Sequence, residues 1–110
     1  MSGNVKFDKW INDDNSENYK CRAWVKFNGT GTVAIRGSGN VSSITDGGTG
    51  IYTVNFTTAM PDSNYSASAT DDYYGVGWVY NYSTSSVSTR RANSGFTLID
   101  PSSICIQVFC

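Results

Sequence analysis

Five side chains, Asp71, Asp72, Tyr73, Tyr74 and Arg91, are the candidates for binding chemistry. Tyr73 and Tyr74 fall in a polar run, Asp71 to Gly75, just before the stripe Val76, Trp78, Tyr80 and Tyr82. Aromatic rings stack on the C–H faces of sugars, while Tyr hydroxyls, Asp72 and Asn81 would take hydrogen bonds. The same residue types fill cores and subunit interfaces. Trp78 is expected in one of those, whereas Tyr73 and Tyr74 fit either use equally. The acidic pairs Asp13-Asp14 and Asp71-Asp72 could serve glycoside hydrolysis or ligate calcium. Neighbours on a loop point apart, and the dense Asp/Asn/Gly pattern of a calcium loop is missing, so solvated loops are expected. No catalytic residue, metal site or cofactor is assigned. Arg90-Arg91 is the only basic doublet. Its forked guanidinium groups suit carboxylates and phosphates of acidic glycans. Strand alternation turns one of the two away, and a solvated edge that discourages strand addition is the plainer expectation.

These residues need elements to position them, and the hydrophobic pattern predicts strands. Cys21, Ala23, Val25 and Phe27 alternate with Arg22, Trp24 and Lys26. Cys21 and Cys105 are read as buried apolar thiols and Cys110 as a free terminal thiol. Asn28-Gly29 predicts a tight type I′ hairpin, with a return strand over about Thr30–Gly37 carrying Val33 and Ile35 on one face. Val41–Ile44 is a short apolar piece, and 46–50 a turn. Ile51–Thr57 alternates Tyr52, Val54 and Phe56 against Ile51, Thr53 and Asn55. Pro61 breaks that run. Further strands are predicted at Asn64–Thr70, Val76–Tyr82, Val87–Arg91, Phe96–Ile99 and Ile104–Val108, with Asp100-Pro101 opening the last turn. Eight or nine short strands at this spacing make a small antiparallel β-sandwich over 21–110. Residues 1–20 read as an irregular polar arm, or connector, anchored by Trp10 and Ile11.

Composition narrows the function. The 110 residues contain one Leu, one Glu and one Gln, against 15 Ser, 11 Thr, 10 Asn and 11 Gly. Helix formers are nearly absent, which excludes an α-helical protein. The lack of histidine excludes Ser-His-Asp and Cys-His catalysis and His-ligated metal. A net charge of −1 with eight Lys+Arg argues against nucleic acid as a partner. No apolar run is long enough to insert in a membrane as a helix. A surface of neutral hydrogen-bonding groups and rings fits a sugar or another protein. Five Asn-x-Ser/Thr sequons, at Asn28, Asn40, Asn55, Asn64 and Asn81, are expected by chance where 26 residues are Ser or Thr.

The stretch GIYTVNFTTAMPDSNYSASAT orders Tyr52, Val54, Phe56, Met60, Pro61, Asp62 and Tyr65 as strand, Phe-Thr, Met-Pro, then an aromatic at the next strand. SSVSTRRANSGFTLIDPSSICIQVF adds Val87, Gly95, Phe96, Thr97, Ile104, Ile106 and Val108. Together these resemble the small antiparallel domain shared by phage tail-fibre tips and H-type lectins. CRAWVKFNGTGTVAIRGSGNVSSITDGGTG is similar to the opening of phage tail-fibre proteins. The resemblance implies a virion adhesin made in the host cytoplasm, a homotrimer, and a host cell-surface glycan or protein receptor as partner. Residues 1–20 would then join other virion proteins. It supplies no sugar-binding residue, because fibre tips vary most in their loops. The competing expectation is a capsid-decorating or filament-forming protein with no ligand.

Overall fold

Alternating apolar residues build the framework. The computed structural model describes residues 10–11, 13–15, 17–18, 21–73 and 76–110. Short strands β1 (Trp10–Ile11) and β2 (Glu17–Asn18) pair antiparallel where the sequence predicts an irregular arm, and 1–9, 12, 16 and 19–20 lie outside the described residues. Eight strands follow: β3 (Cys21–Asn28), β4 (Ala34–Gly39), β5 (Val41–Gly48), β6 (Ile51–Phe56), β7 (Ser66–Asp71), β8 (Val76–Tyr80), β9 (Ser86–Ala92) and β10 (Ile104–Phe109). They form two antiparallel four-stranded sheets, ordered β4-β3-β10-β7 and β5-β6-β9-β8. The all-β sandwich expected from the sequence is the fold observed.

The core lies between the sheets. Ala23, Val25, Phe27, Ile104, Ile106 and Val108 from the first meet Tyr52, Val54, Phe56 and Val87 from the second. Burying each large apolar side chain stabilises the fold by about 1.5–3 kcal/mol. Phe27 and Tyr52 meet edge to face, with centroids 5.2 Å apart. Met60 and Tyr65, from the β6–β7 connection, add to that cluster. The chain crosses from one sheet to the other at Asn40, whose φ of 57° suits Asn better than most residues. Its amide holds the corner by donating to Arg22 O and Thr58 O, each at 3.0 Å.

Several local expectations are corrected. Asn28-Gly29 does not form a two-residue turn, because β4 starts only at Ala34 and the positive φ falls on Gly31. Ile35 pairs with inward-facing Phe27 yet stays 38% exposed, because β4 is an edge strand. β5 runs on to Gly48 through the predicted turn. Phe96–Ile99 is no strand and contributes one bridge, Ala92 to Leu98. Cys21 is exposed, and Cys105 is half-buried on the face opposite Ile104 and Ile106.

Candidate functional site

The antiparallel order sends four connections to one end of the sandwich. They are 29–33, 49–50, 72–75 and 93–103, of which 74 and 75 lie outside the described residues. Cys21, where the chain enters β3, pairs with Phe109 at the opposite end. The 93–103 connection ties the other three loops together. Pro101 O accepts from Gly29 N at 2.9 Å, and Asp100 O from the Thr30 hydroxyl at 3.0 Å. The Asp100 carboxylate accepts from Tyr52 Oη at 2.7 Å and Gly50 N at 2.8 Å. Burial, and then the Asp100 carboxylate, hold the Tyr52 phenol far above its ordinary pKa. Gly50 has φ 71°, and a Cβ there would meet Arg91 O at 2.5 Å. A side chain is thus excluded at this junction both by conformation and by space.

Asp71, Asp72, Tyr73 and Arg91, four of the five candidate residues, gather at this end but divide by environment. Asp71 ends β7 facing inward, and Arg91 lies on the inward face of β9. Arg91 Nε donates to Asp71 Oδ2 at 2.8 Å, with only 6% and 3% of the two side chains exposed. Arg91 Nη1 also reaches Thr89 Oγ1 at 3.3 Å. A Cβ on Gly77 would overlap the Arg91 guanidinium, so that glycine makes room for the pair. The doublet is therefore not a solvated edge: β9 lies between β6 and β8, and Arg91 joins the two sheets. Asp71 Oδ1 accepts from Tyr73 N at 3.0 Å, so the buried pair also positions the loop.

Asp72 turns to the surface and accepts from the Ser102 hydroxyl and from Ser103 N. The Ser102 hydrogen bond draws its carboxyl below the ordinary range. Asp71 and Asp72 therefore point apart and make no acid–base pair. Tyr73 is 55% exposed. Tyr74 lies outside the described residues.

Phe96 is not among the binding candidates that the sequence offers, yet it is 76% exposed with φ 64°. A bulky side chain in the left-handed region costs about 1–3 kcal/mol and persists only where its surroundings impose it. Asn93 imposes it here. Its side-chain oxygen accepts from Gly95 N at 2.9 Å and Thr97 N at 3.1 Å, and its backbone bonds to Thr97 O and Phe96 N. The sequence signal was Asn93-Ser94-Gly95, turn chemistry set directly before an aromatic.

The aromatic stripe and Arg90 of the sequence fall on the outer face of β8 and β9. Val79 packs inward, so Val76, Trp78 and Tyr80 point out. Trp78 is 46% exposed, not in the core of this chain. It pairs in register with Arg90, whose guanidinium lies 5.1 Å from the Tyr80 ring centroid. Tyr82 leaves the stripe, because Asn81 has φ 53° and the Tyr82 ring packs on Tyr65 at 5.2 Å. Beside the rings, Thr53 and Ser88 share a hydrogen bond of 2.9 Å.

Among the described residues, no group of three His, Cys, Asp or Glu side chains could hold a metal ion. In comparisons with known proteins, no family model matches the chain, and neither the curated proteins nor the solved structures give a significant match.

Proposed function

We propose that this domain is the receptor-binding tip of a phage tail fibre, a non-catalytic virion adhesin that grips a host surface glycan or receptor with its loop end. The observation that carries this reading is Phe96, an aromatic held in a costly conformation and turned to solvent. Backbone strain of that kind gathers where a side chain must be presented to a ligand. Tyr73 stands exposed at the same end, on loops fastened by hydrogen bonds before any ligand arrives. Prior ordering of that kind lowers the entropy lost on binding. The chain enters at the far end, at Cys21, so a connection to the particle through residues 1–20 leaves the loops facing outward. The domain acts as a homotrimer, with three weak sites summed by avidity.

The test is a bacterial surface-glycan array probed with the parent and with the double variant Tyr73→Ala, Phe96→Ala. Binding is expected from the parent and lost by at least tenfold in the variant, with an unchanged melting temperature. Undiminished binding would sink the loop-end site. A second reading, ligand-free self-assembly, draws on Trp24 and Phe109, both exposed on the outer face of the first sheet. Light scattering separates them: a closed trimer fits the fibre tip, and an open polymer fits the filament.

A further inference from the structure

Beyond the loop end, we infer that the outer face of β8 and β9 is a second site, for a saccharide bearing an anionic group. Trp78 stacks the sugar ring and Arg90 takes the carboxylate or phosphate. Three observations place the two groups together. Trp78 and Arg90 are register partners on neighbouring strands, about 4.8 Å apart at the backbone. Tyr80 lies two residues further along, about 6.7 Å from Trp78 on the same face. The Arg90 guanidinium leans over Tyr80, and its Nε donates to the Tyr80 hydroxyl at 3.3 Å. That leaves the Trp78 ring uncovered beside it.

The charge on this face is unmatched. Outward positions on the second sheet are Ser43 and Thr45 on β5, Ile51, Thr53 and Asn55 on β6, Ser86, Ser88 and Arg90 on β9, and the rings of β8. No carboxylate stands among them. Among the described residues the one ion pair is Arg91 with Asp71, and neither Nη1 nor Nη2 of Arg90 has an acceptor. A fork with two free donors, steadied by a ring and set beside an open indole, is complementary to a planar carboxylate on a stacked sugar. It accepts a phosphodiester oxygen pair by the same geometry. Thr53, half-buried and hydrogen-bonded to the buried Ser88, offers a hydroxyl on the same face to a neutral sugar hydroxyl.

This inference shares with the proposed function the premise that the ligand is a glycan. The test uses an array of matched oligosaccharides: a uronic-acid oligomer, its carboxyl-reduced neutral form, and a glycerol-phosphate-bearing oligomer. The parent is expected to prefer one or both charged forms at least tenfold over the neutral one, and the two charged arms tell carboxylate from phosphate. Arg90→Gln is expected to erase that preference. Arg90→Lys keeps charge without the fork and should retain part of it. Trp78→Ala should weaken charged and neutral forms alike, and thermal melts confirm that each variant is folded. If binding ignores both charge and Arg90 but is lost with Tyr73 and Phe96, the inference falls and the loop-end reading stands. If charge-selective binding needs Arg90 and Trp78 but survives loss of Tyr73 and Phe96, the reverse holds. Absence of any glycan binding overturns both. A change of mass in solution on Trp78→Ala, without any change in glycan binding, would make this face a contact between copies.

Discussion

Removing the charge of Asp71 is expected to be the most damaging conservative change in the domain. Asp71→Asn keeps the shape of the side chain and an oxygen able to accept from Tyr73 N. It removes the counter-charge 2.8 Å from Arg91 Nε. The guanidinium cannot escape to water, because both side chains are almost fully enclosed. Its other hydrogen-bond partner among the described residues is the neutral hydroxyl of Thr89 at 3.3 Å. Breaking one side of such a pair costs about 3–5 kcal/mol, most of it the penalty of an uncompensated buried charge. A small domain has about 5–15 kcal/mol in total. With a urea slope of about 2 kcal/mol/M, the midpoint should fall by about 2 M.

The reasoning has a second arm. Replacing both partners with apolar residues, Asp71→Leu with Arg91→Met, removes the orphaned charge together with its counter-ion. Thr89 Oγ1 stays satisfied through its 2.9 Å bond to Trp78 O. Exposed Tyr73 can give its amide to water. The double variant should therefore recover most of the loss and lie within about 1 kcal/mol of the parent. Urea titration of the parent, Asp71→Asn and the double variant makes the comparison. A loss below about 1 kcal/mol for Asp71→Asn, reduced further by salt, would refute the argument, since only a solvent-screened pair behaves in that way.

The other predictions rest on the loop end. Tyr52→Phe removes hydrogen bonds to the Asp100 carboxylate and to Gly29 O, and should cost about 1.5–3 kcal/mol by thermal or urea denaturation. Because the folded Tyr52 pKa is raised, its stabilising effect is full below the unfolded phenol value of about 10 and is lost as pH rises above it; ultraviolet titration should show it as the last tyrosine to ionise. The Asp72 carboxyl is lowered by Ser102, so its contribution is present above the ordinary value of about 3.9 and lost as pH falls through the depressed one. Carboxyl NMR titration of Ser102→Ala should show that pKa return upward. Phe96→Asn, which relieves the left-handed backbone of its bulky side chain, should raise stability by about 1 kcal/mol in urea denaturation while weakening glycan binding on the array.

The strand framework was legible because alternation depends on local sequence. Tyr52, Val54 and Phe56 could bury together only on one face, and they do. Arg91 shows where that logic stops. Alternation separates Arg90 from Arg91 but does not tell which one faces inward. That depends on Asp71, twenty positions earlier and on the other sheet. Gly29 fails for a related reason. Asn28-Gly29 predicts a turn glycine, yet the Gly29 backbone has no positive φ. A Cβ there would approach Tyr52 Oη at 2.5 Å and Pro101 O at 2.8 Å, so the glycine serves a long-range contact. The apolar residues around Phe96 predict the start of a strand there. Asn93 outweighs that pattern by drawing the amides of Gly95 and Thr97 onto one oxygen. Cys105 obeys alternation, since its parity opposes that of Ile104 and Ile106 and turns it from the core.

The excess of Asn, Ser and Thr has a structural use that connects composition to the proposed site. Long loops are normally mobile, and mobile loops lose entropy when a ligand orders them. Here the turns are closed by short polar side chains. Asn40 bridges a strand corner, Asn28 accepts from Thr30 N, Asn93 folds the Phe96 loop, and Ser102 holds Asp72. Longer side chains reach such backbone groups only by losing more rotamer freedom. A chain poor in Leu and Glu can therefore present Tyr73 and Phe96 on loops that are ordered before contact, and the same short side chains leave the rings uncovered. The composition that gives this domain a small core also leaves Tyr73 and Phe96 exposed, as the proposed glycan site requires.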